Sequence, residues 1–124
     1  MISETPWDFL IEKNIDDFMI RYSDLKEIVQ GGPIIGRLSI NDKPILKYLF
    51  GGPCLNWDTY IYVPLFTKEI FKRGFCLCRI NLLTREIGFL SKMEDLIYLD
   101  RIEGNKIYYY LDINRTKQQN CDIY

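Results

Sequence analysis

The four cysteines, Cys54, Cys76, Cys78 and Cys121, are the side chains best suited to metal chemistry, because four thiolates complete a tetrahedral zinc site. Cys76 and Cys78 stand two residues apart, a spacing that places both on one face of a strand. Structural zinc sites usually combine two Cys-x-x-Cys turns, and this chain has no such turn. The pattern therefore favours thiols packed as small apolar groups, and we expect no metal and no other cofactor.

Histidine is absent from all 124 residues, which removes the commonest general base and metal ligand. The Ser-His and Cys-His arrangements of nucleophilic catalysis are excluded with it. Chemistry by paired carboxylates survives because the chain holds 17 Asp and Glu, although the pairs Asp16-Asp17 and Glu94-Asp95 are adjacent and point in different directions on a regular element. We expect a non-enzymatic protein; a small carboxylate-based enzyme or ligand-binding domain is the alternative.

Charge is unevenly distributed along the chain. Residues 1–30 contain seven acids and three bases, a net charge of −4, whereas residues 31–124 carry +3 and the whole chain −1. Asp8, Glu12 and Asp16 follow one another at a spacing of four residues, and Asp17 is adjacent. On a helix this spacing gives one acidic face, which predicts a surface that steers a basic protein partner.

Aromatic residues are the second feature that indicates binding. In a strand, Tyr108 and Tyr110 must share the face opposite Tyr109. Trp57, Tyr60 and Tyr62 offer a similar choice between the core and an exposed surface, and Trp and Tyr are enriched at the energetic centres of protein interfaces. Aromatic side chains also stack on single-stranded nucleic acid, but no run of Lys or Arg accompanies these residues, so no nucleic-acid partner is expected.

The segment 6–30, which carries the acids, is predicted to be helical. Pro6 suits the first position of a helix, and Gly31-Gly32-Pro33 would end it. Large apolar residues recur at i, i+4, i+7 and i+11, namely at Phe18, Tyr22, Leu25 and Val29. The pattern leaves one kinked helix or two short helices open and favours two.

The segment 33–112 is predicted to be rich in strands, with a turn of helix near 67–73. The predicted strands are 35–40, 45–50, 58–64, 75–81, 86–90, 96–102 and 106–111, and the last two pairs form hairpins. The predicted class is α+β, in which an N-terminal helical segment packs on a mainly antiparallel meander of about six strands. A single domain, 1–124, is expected, with a frayed polar tail at 113–124.

The hydropathy and charge of the sequence do not predict contact with a membrane. No stretch of about 18 apolar residues is present, and the first residues carry an acid where a signal peptide carries positive charge. A near-neutral net charge provides no bulk attraction to an anionic bilayer. We expect a cytoplasmic protein without a membrane partner.

The chain resembles, in type and without a diagnostic motif, the immunity proteins of contact-dependent and other polymorphic bacterial toxin systems. The resemblance depends on the acidic positions above, on the segments 51–57 and 60–64, and on the segment 74–81. It implies a small cytoplasmic protein that binds one toxin domain and blocks its active site or activation. The implied partner is a basic toxin domain, a nuclease, whose Lys and Arg pair with Asp8, Glu12, Asp16 and Asp17. Trp57, Tyr60, Tyr108 and Tyr110 are the expected aromatic contacts.

Overall fold

Every regular element of the computed structural model, which describes residues 4–123, is a β-strand. The strands are β1 (Glu12–Ile15), β2 (Phe18–Glu27), β3 (Ile34–Ile40), β4 (Lys43–Pro44), β5 (Leu49–Phe50), β6 (Leu55–Trp57), β7 (Tyr60–Lys68), β8 (Arg73–Asn81), β9 (Ile87–Phe89), β10 (Tyr98–Glu103), β11 (Lys106–Tyr110) and β12 (Gln118–Asp122). Strand pairing is antiparallel throughout these residues, which confirms the antiparallel part of the prediction.

The helix predicted over 6–30 is wrong, and the α+β class is wrong with it, because this segment forms β1 and β2. Phe18, Ile20 and Tyr22 contact one core, as alternate residues of a strand do. Phe18 and Tyr22 are four residues apart, a spacing that fits a helical stripe and a strand face equally well. The backbone of Asp16 is left-handed, with φ 52°, so the chain turns there into a hairpin and cannot continue as a helix.

The larger sheet contains β1 to β9 in the order β1-β2-β3-β5-β7-β8-β9, with β4 beside β3 and β6 beside β7. Ile20 and Ile40, from β2 and β3, belong to the same buried cluster as Ile61 and Ile80, from β7 and β8. The sheet therefore curls, so that its two halves close over one apolar core.

The smaller sheet, in the order β10-β11-β12, covers the opposite face of β7 and β8. Tyr62 and Leu77 pack there with Leu99 and Ile107. The side chains of β7 alternate between the two cores, since Tyr62 enters this second core and Ile61 the first. Because β7 is covered on both faces, neither side chain reaches solvent.

Both hairpins that the sequence predicts are present. β8 pairs with β9, and β10 pairs with β11 through a turn at Gly104, whose φ is 63°. Asn41 and Asp42, with φ of 52° and 67°, form the two-residue turn between β3 and β4. The helical turn predicted at 67–73 is instead the loop of the β7–β8 hairpin.

The C-terminal segment forms β12, in place of the frayed end expected at 113–124. Ile123 is fully buried in the second core. Its carbonyl oxygen accepts hydrogen bonds from the Tyr62 hydroxyl, at 2.8 Å, and from Nη1 of Arg79, at 3.1 Å. Between residues 4 and 123 there is no helix with the length and apolarity needed to cross a membrane.

Candidate functional site

The four predicted acidic residues do not share one face. Asp16 and Asp17 form the β1–β2 turn, whereas Asp8 precedes β1 and lies beside Trp7 in a short turn closed by Thr5. Glu12 lies at the start of β1, about 13 Å from Asp16 at the 3.3 Å rise of a strand residue. The acidic helical face predicted from their spacing is therefore absent, because the segment is extended.

Glu12 also differs from the other three acids because its carboxylate forms an ion pair. It lies opposite Arg21 in the β1–β2 register, and its Oε1 is 3.0 Å from Nε of Arg21. The same guanidinium contacts Asp42 at 3.1 Å through Nη1. Asp8, Asp16 and Asp17 are exposed and form no ion pair among residues 4–123. Together with Glu27, whose carboxylate accepts only from the Gly31 amide among the hydrogen bonds of residues 4–123, these three carboxylates carry the uncompensated charge of the acidic segment.

The N-terminal segment is fastened to the body by polar contacts at Glu4 and Lys13. Nζ of Lys13 lies 2.7 Å from Oε2 of Glu4 and donates to the carbonyl oxygen of Cys54 at 2.8 Å. The ring of Phe9 then packs over Gly52, where a Cβ atom would approach it to 2.6 Å. Glycine is thus required at position 52, because any side chain there would displace the Phe9 ring.

This placement creates an open apolar cleft of about 160 Å³, which we call the N-terminal cleft. Its lining residues are Trp7, Asp8, Phe9, Ile11, Leu25 and Ile34. An adjoining hollow of about 420 Å³ shares Leu25 and Ile34 and adds Lys26 and Glu27. Leu10 and Val29 are large apolar residues of the same stretches of chain that also remain exposed. The N-terminal cleft is therefore lined by apolar side chains and one acid, Asp8, and the adjoining hollow adds Lys26 and Glu27.

A row of aromatic rings continues from Trp7 across the smaller sheet. Trp7 meets Tyr98 edge-on with ring centroids 6.5 Å apart, and Tyr98 meets Tyr110 at 6.3 Å. Tyr108 and Tyr110 are half-buried on the face opposite the buried Tyr109, as the strand period predicts. We call Trp7, Tyr98, Tyr108 and Tyr110 the aromatic face.

Two arginines cover this aromatic face. The guanidinium carbon of Arg101 lies 4.2 Å from the ring centroid of Tyr108, and that of Arg115 lies 6.0 Å from Tyr98. Arg101 is also paired with Asp100 and Glu103, at 2.5 and 2.6 Å, so the cation is locally compensated. The result is a surface rich in Tyr, Trp and Arg with little net charge.

Trp57 and Tyr60 flank the β6–β7 hairpin turn and face each other in the register. Trp57 is 36 % exposed, whereas Tyr60 is half-buried, with the Arg79 guanidinium 4.6 Å from its ring centroid. β6 also runs next to β10 of the smaller sheet. Trp57 is thus available at the surface, and Tyr60 is mainly a packing residue.

Trp7 and Tyr98 are the site residues that the sequence analysis did not find. Trp7 lies in the segment 6–30, whose prediction as a helix was wrong. The alternation within 96–102, which leaves Leu99 buried and Tyr98 half-buried, was the available signal for Tyr98.

Three of the four cysteines are divided between the two cores, and among residues 4–123 no three His, Cys, Asp or Glu side chains gather as a metal site. Cys54 and Cys78 belong to the first core, whereas Cys121 packs against the second. Burial raises the pKa of Cys54 and of Cys78, so both stay protonated near neutral pH. Cys76 lies two residues from Cys78 in β8, as predicted, and burial also raises its pKa.

The carboxylate alternative has no supporting geometry among residues 4–123, where no Asp or Glu is buried. A carboxyl that acts as a general acid needs a raised pKa, and the pKa of Asp112 is shifted the other way. Hydrogen bonds from the Thr116 side chain and from the backbone of Lys117 lower the pKa of this carboxyl. The Asp112 carboxylate stabilises the loop between β11 and β12 through these hydrogen bonds.

In comparisons with protein-family models, with curated proteins and with solved structures, no match to this chain was found.

Proposed function

We propose that this chain is a bacterial immunity protein that acts in the cytoplasm, where it binds and neutralises a basic toxin domain, a nuclease, of a contact-dependent growth inhibition system. The position of Trp7 carries the proposal. This residue borders the N-terminal cleft and also begins the aromatic face. One side chain therefore links a concave apolar surface to a surface rich in tyrosine and arginine.

The composition of this surface supports a protein partner. Hot spots of protein interfaces are enriched in Trp, Tyr and Arg near the centre, surrounded by contacts that exclude water. Trp7 and Tyr98 supply aromatic anchors, and Leu25 offers exposed apolar area beside the cleft. A partner side chain that enters the cleft would be held on three sides.

Charge supports a basic partner. Asp8 lines the N-terminal cleft and Glu27 the adjoining hollow, whereas Asp16 and Asp17 extend the negative field at a hairpin tip. Fields of this kind act mainly on the rate of association. Glu12 contributes less than the other acids because Arg21 already neutralises it.

The experiment uses the toxin domain encoded beside this chain's own gene. Coexpression should restore growth of cells that produce the toxin, and the purified pair should bind. Trp7→Ala and Leu25→Asp should weaken binding at least tenfold, because each removes an apolar contact of the site. Leu83→Asp is the matched control, since Leu83 is 68 % exposed in the β8–β9 loop, away from the cleft. A neighbouring gene for a metabolic enzyme, or unaltered growth arrest, would refute the proposal.

A second arm measures the rate of association. The triple reversal Asp8→Lys, Asp16→Lys and Asp17→Lys should slow association several-fold at low salt and weaken its salt dependence. Asp95→Lys, an exposed acid outside this segment, is the single-site control. An on-rate that is unchanged in the triple variant would contradict electrostatic steering by the N-terminal acids.

A further inference from the structure

The tip of the β7–β8 hairpin is the most exposed apolar feature of the described chain. Ile70 is 91 % exposed and Phe71 is 98 % exposed, so neither side chain packs on its own protein. The loop Glu69-Ile70-Phe71-Lys72 is closed by a 2.7 Å hydrogen bond from the Glu69 amide to the Lys72 carbonyl oxygen. We call these four residues the β7–β8 tip.

The residues of this tip are not explained by the turn that they form. Asp, Asn or Gly occupies each of the two-residue hairpin turns, namely Asp16-Asp17, Asn41-Asp42, Asp58-Thr59 and Gly104-Asn105. Such residues suit tight turns because they tolerate left-handed backbone and bond locally. The β7–β8 tip has none of them, and it places two large apolar side chains in water instead.

Three cations flank the two apolar side chains along the chain. Lys68 and Arg73 face each other in the last register pair of the hairpin, and Lys72 follows Phe71. All three are exposed, and with Glu69 they give residues 68–73 a net charge of +2. The near-neutral charge of the whole chain conceals this local excess.

We propose that the β7–β8 tip docks on an anionic membrane surface. Ile70 and Phe71 would enter the boundary between headgroups and acyl chains, and the three cations, one or two residues away along the chain, would meet lipid phosphates. A convex tip with two unshielded apolar side chains suits a fluid bilayer, which needs no complementary pocket. The inference is independent of the partner-binding surface, which is formed by other strands. It revises the expectation, based on overall charge, that this chain has no membrane partner.

The test is flotation of the whole protein with two kinds of vesicle, one of phosphatidylcholine alone and one of equal parts phosphatidylcholine and phosphatidylglycerol. We expect binding to the anionic vesicles and little to the neutral ones. Phe71→Ser should reduce anionic binding about tenfold or more, because burial of that ring is lost. Leu83→Ser, another exposed apolar residue in a hairpin loop, should bind as the parent does.

Charge is tested by Lys72→Glu, matched by Lys92→Glu, which changes the net charge equally at an exposed site outside the tip. Only Lys72→Glu should weaken binding, and added salt should reduce the parent's binding to anionic vesicles. Phe71→Trp provides a direct readout, since its extra fluorescence should shift to the blue when the ring enters lipid.

Three results would overturn the proposal: failure of the parent to float with anionic vesicles, equal binding by Phe71→Ser, or equal loss of binding from Lys72→Glu and Lys92→Glu. Binding of the proposed toxin domain that depends on Phe71, without vesicle binding, would assign the tip to a protein interface instead. Circular dichroism of each variant identifies any that fails to fold, and Phe71→Trp then provides the measurement, because it keeps an aromatic ring at the tip.

Discussion

Trp7 packs edge-on against Tyr98, with ring centroids 6.5 Å apart, and so joins the N-terminal segment to the smaller sheet. Nε1 of Trp7 also donates to the carbonyl oxygen of Gly31 at 3.2 Å, which fixes the indole over the β2–β3 connection. Residues 9–11 form no strand. The two contacts of Trp7 therefore hold the N-terminal segment against the β2–β3 connection and the smaller sheet.

Trp7→Ala should lower the free energy of unfolding by about 1–2 kcal/mol, because it removes a half-buried ring and its aromatic contact. Urea denaturation measures the change. Leu83→Ala, at an exposed position, should alter it by less than about 0.5 kcal/mol. Equal effects of the two substitutions would show that Trp7 does not hold the segment in place.

Arg21→Gln should lower the free energy of unfolding by no more than about 1 kcal/mol, although it removes contacts to both Glu12 and Asp42. The side chains of all three residues are substantially exposed, so solvent screens the pairing. Thermal unfolding at low and high salt checks this, and the difference from the parent should shrink as salt is added. A larger loss that persists in high salt would mean that Arg21 has a packing role.

Stability should fall as the pH rises above 10, and Tyr109 should contribute to the fall. Burial raises the pKa of Tyr109 from 10.0 to about 12 in the folded chain. The unfolded chain then loses this proton first, so the stabilising contribution is complete below pH 10 and is lost between pH 10 and about 12.

Urea denaturation across that pH range should therefore give a shallower slope for Tyr109→Phe than for the parent protein. Tyr48→Phe, at an exposed tyrosine, is the control and should leave the slope unchanged. If both variants retain the parent slope, Tyr109 is not responsible for the alkaline loss.

Ile123→Ala should lower the free energy of unfolding by about 2–4 kcal/mol, because Ile123 is fully buried in the second core. Gln119→Ala, at an exposed position of the same strand, should have little effect. Hydrogen exchange should show protection of the Ile123 amide, which donates to the Asn105 carbonyl oxygen at 3.1 Å. A loss below about 1 kcal/mol would restore the interpretation of a frayed end.

The turns at 41–42 and 104–105 could be predicted because they depend on adjacent residues alone. Gly104 and the pair Asn41-Asp42 adopt left-handed backbone, which their side chains tolerate. The face shared by Tyr108 and Tyr110 could be predicted for a similar reason, since alternation follows from strand geometry.

The N-terminal helix could not be rejected on the same basis. Phe18 and Tyr22 fit a helical stripe and a strand face alike, and Pro6 is compatible with the start of a helix. Ile20 decides between them in the structure, because it enters the core between Phe18 and Tyr22 as only a strand allows. The pairing of β2 with both β1 and β3 then outweighs local propensity.

The sequence alone determined the absence of histidine chemistry, the uneven charge and the alternation that separates Tyr109 from Tyr108 and Tyr110. These properties depend on composition or on neighbouring residues. Only the tertiary structure decided that Arg21 neutralises Glu12, that Trp7 meets Tyr98, and that Phe71 remains in water. Trp7 meets Tyr98 because distant parts of the chain pack together, and Arg21 meets Glu12 because this segment pairs as a hairpin and not as a helix. Local propensity does not contain the free energy of that packing and pairing.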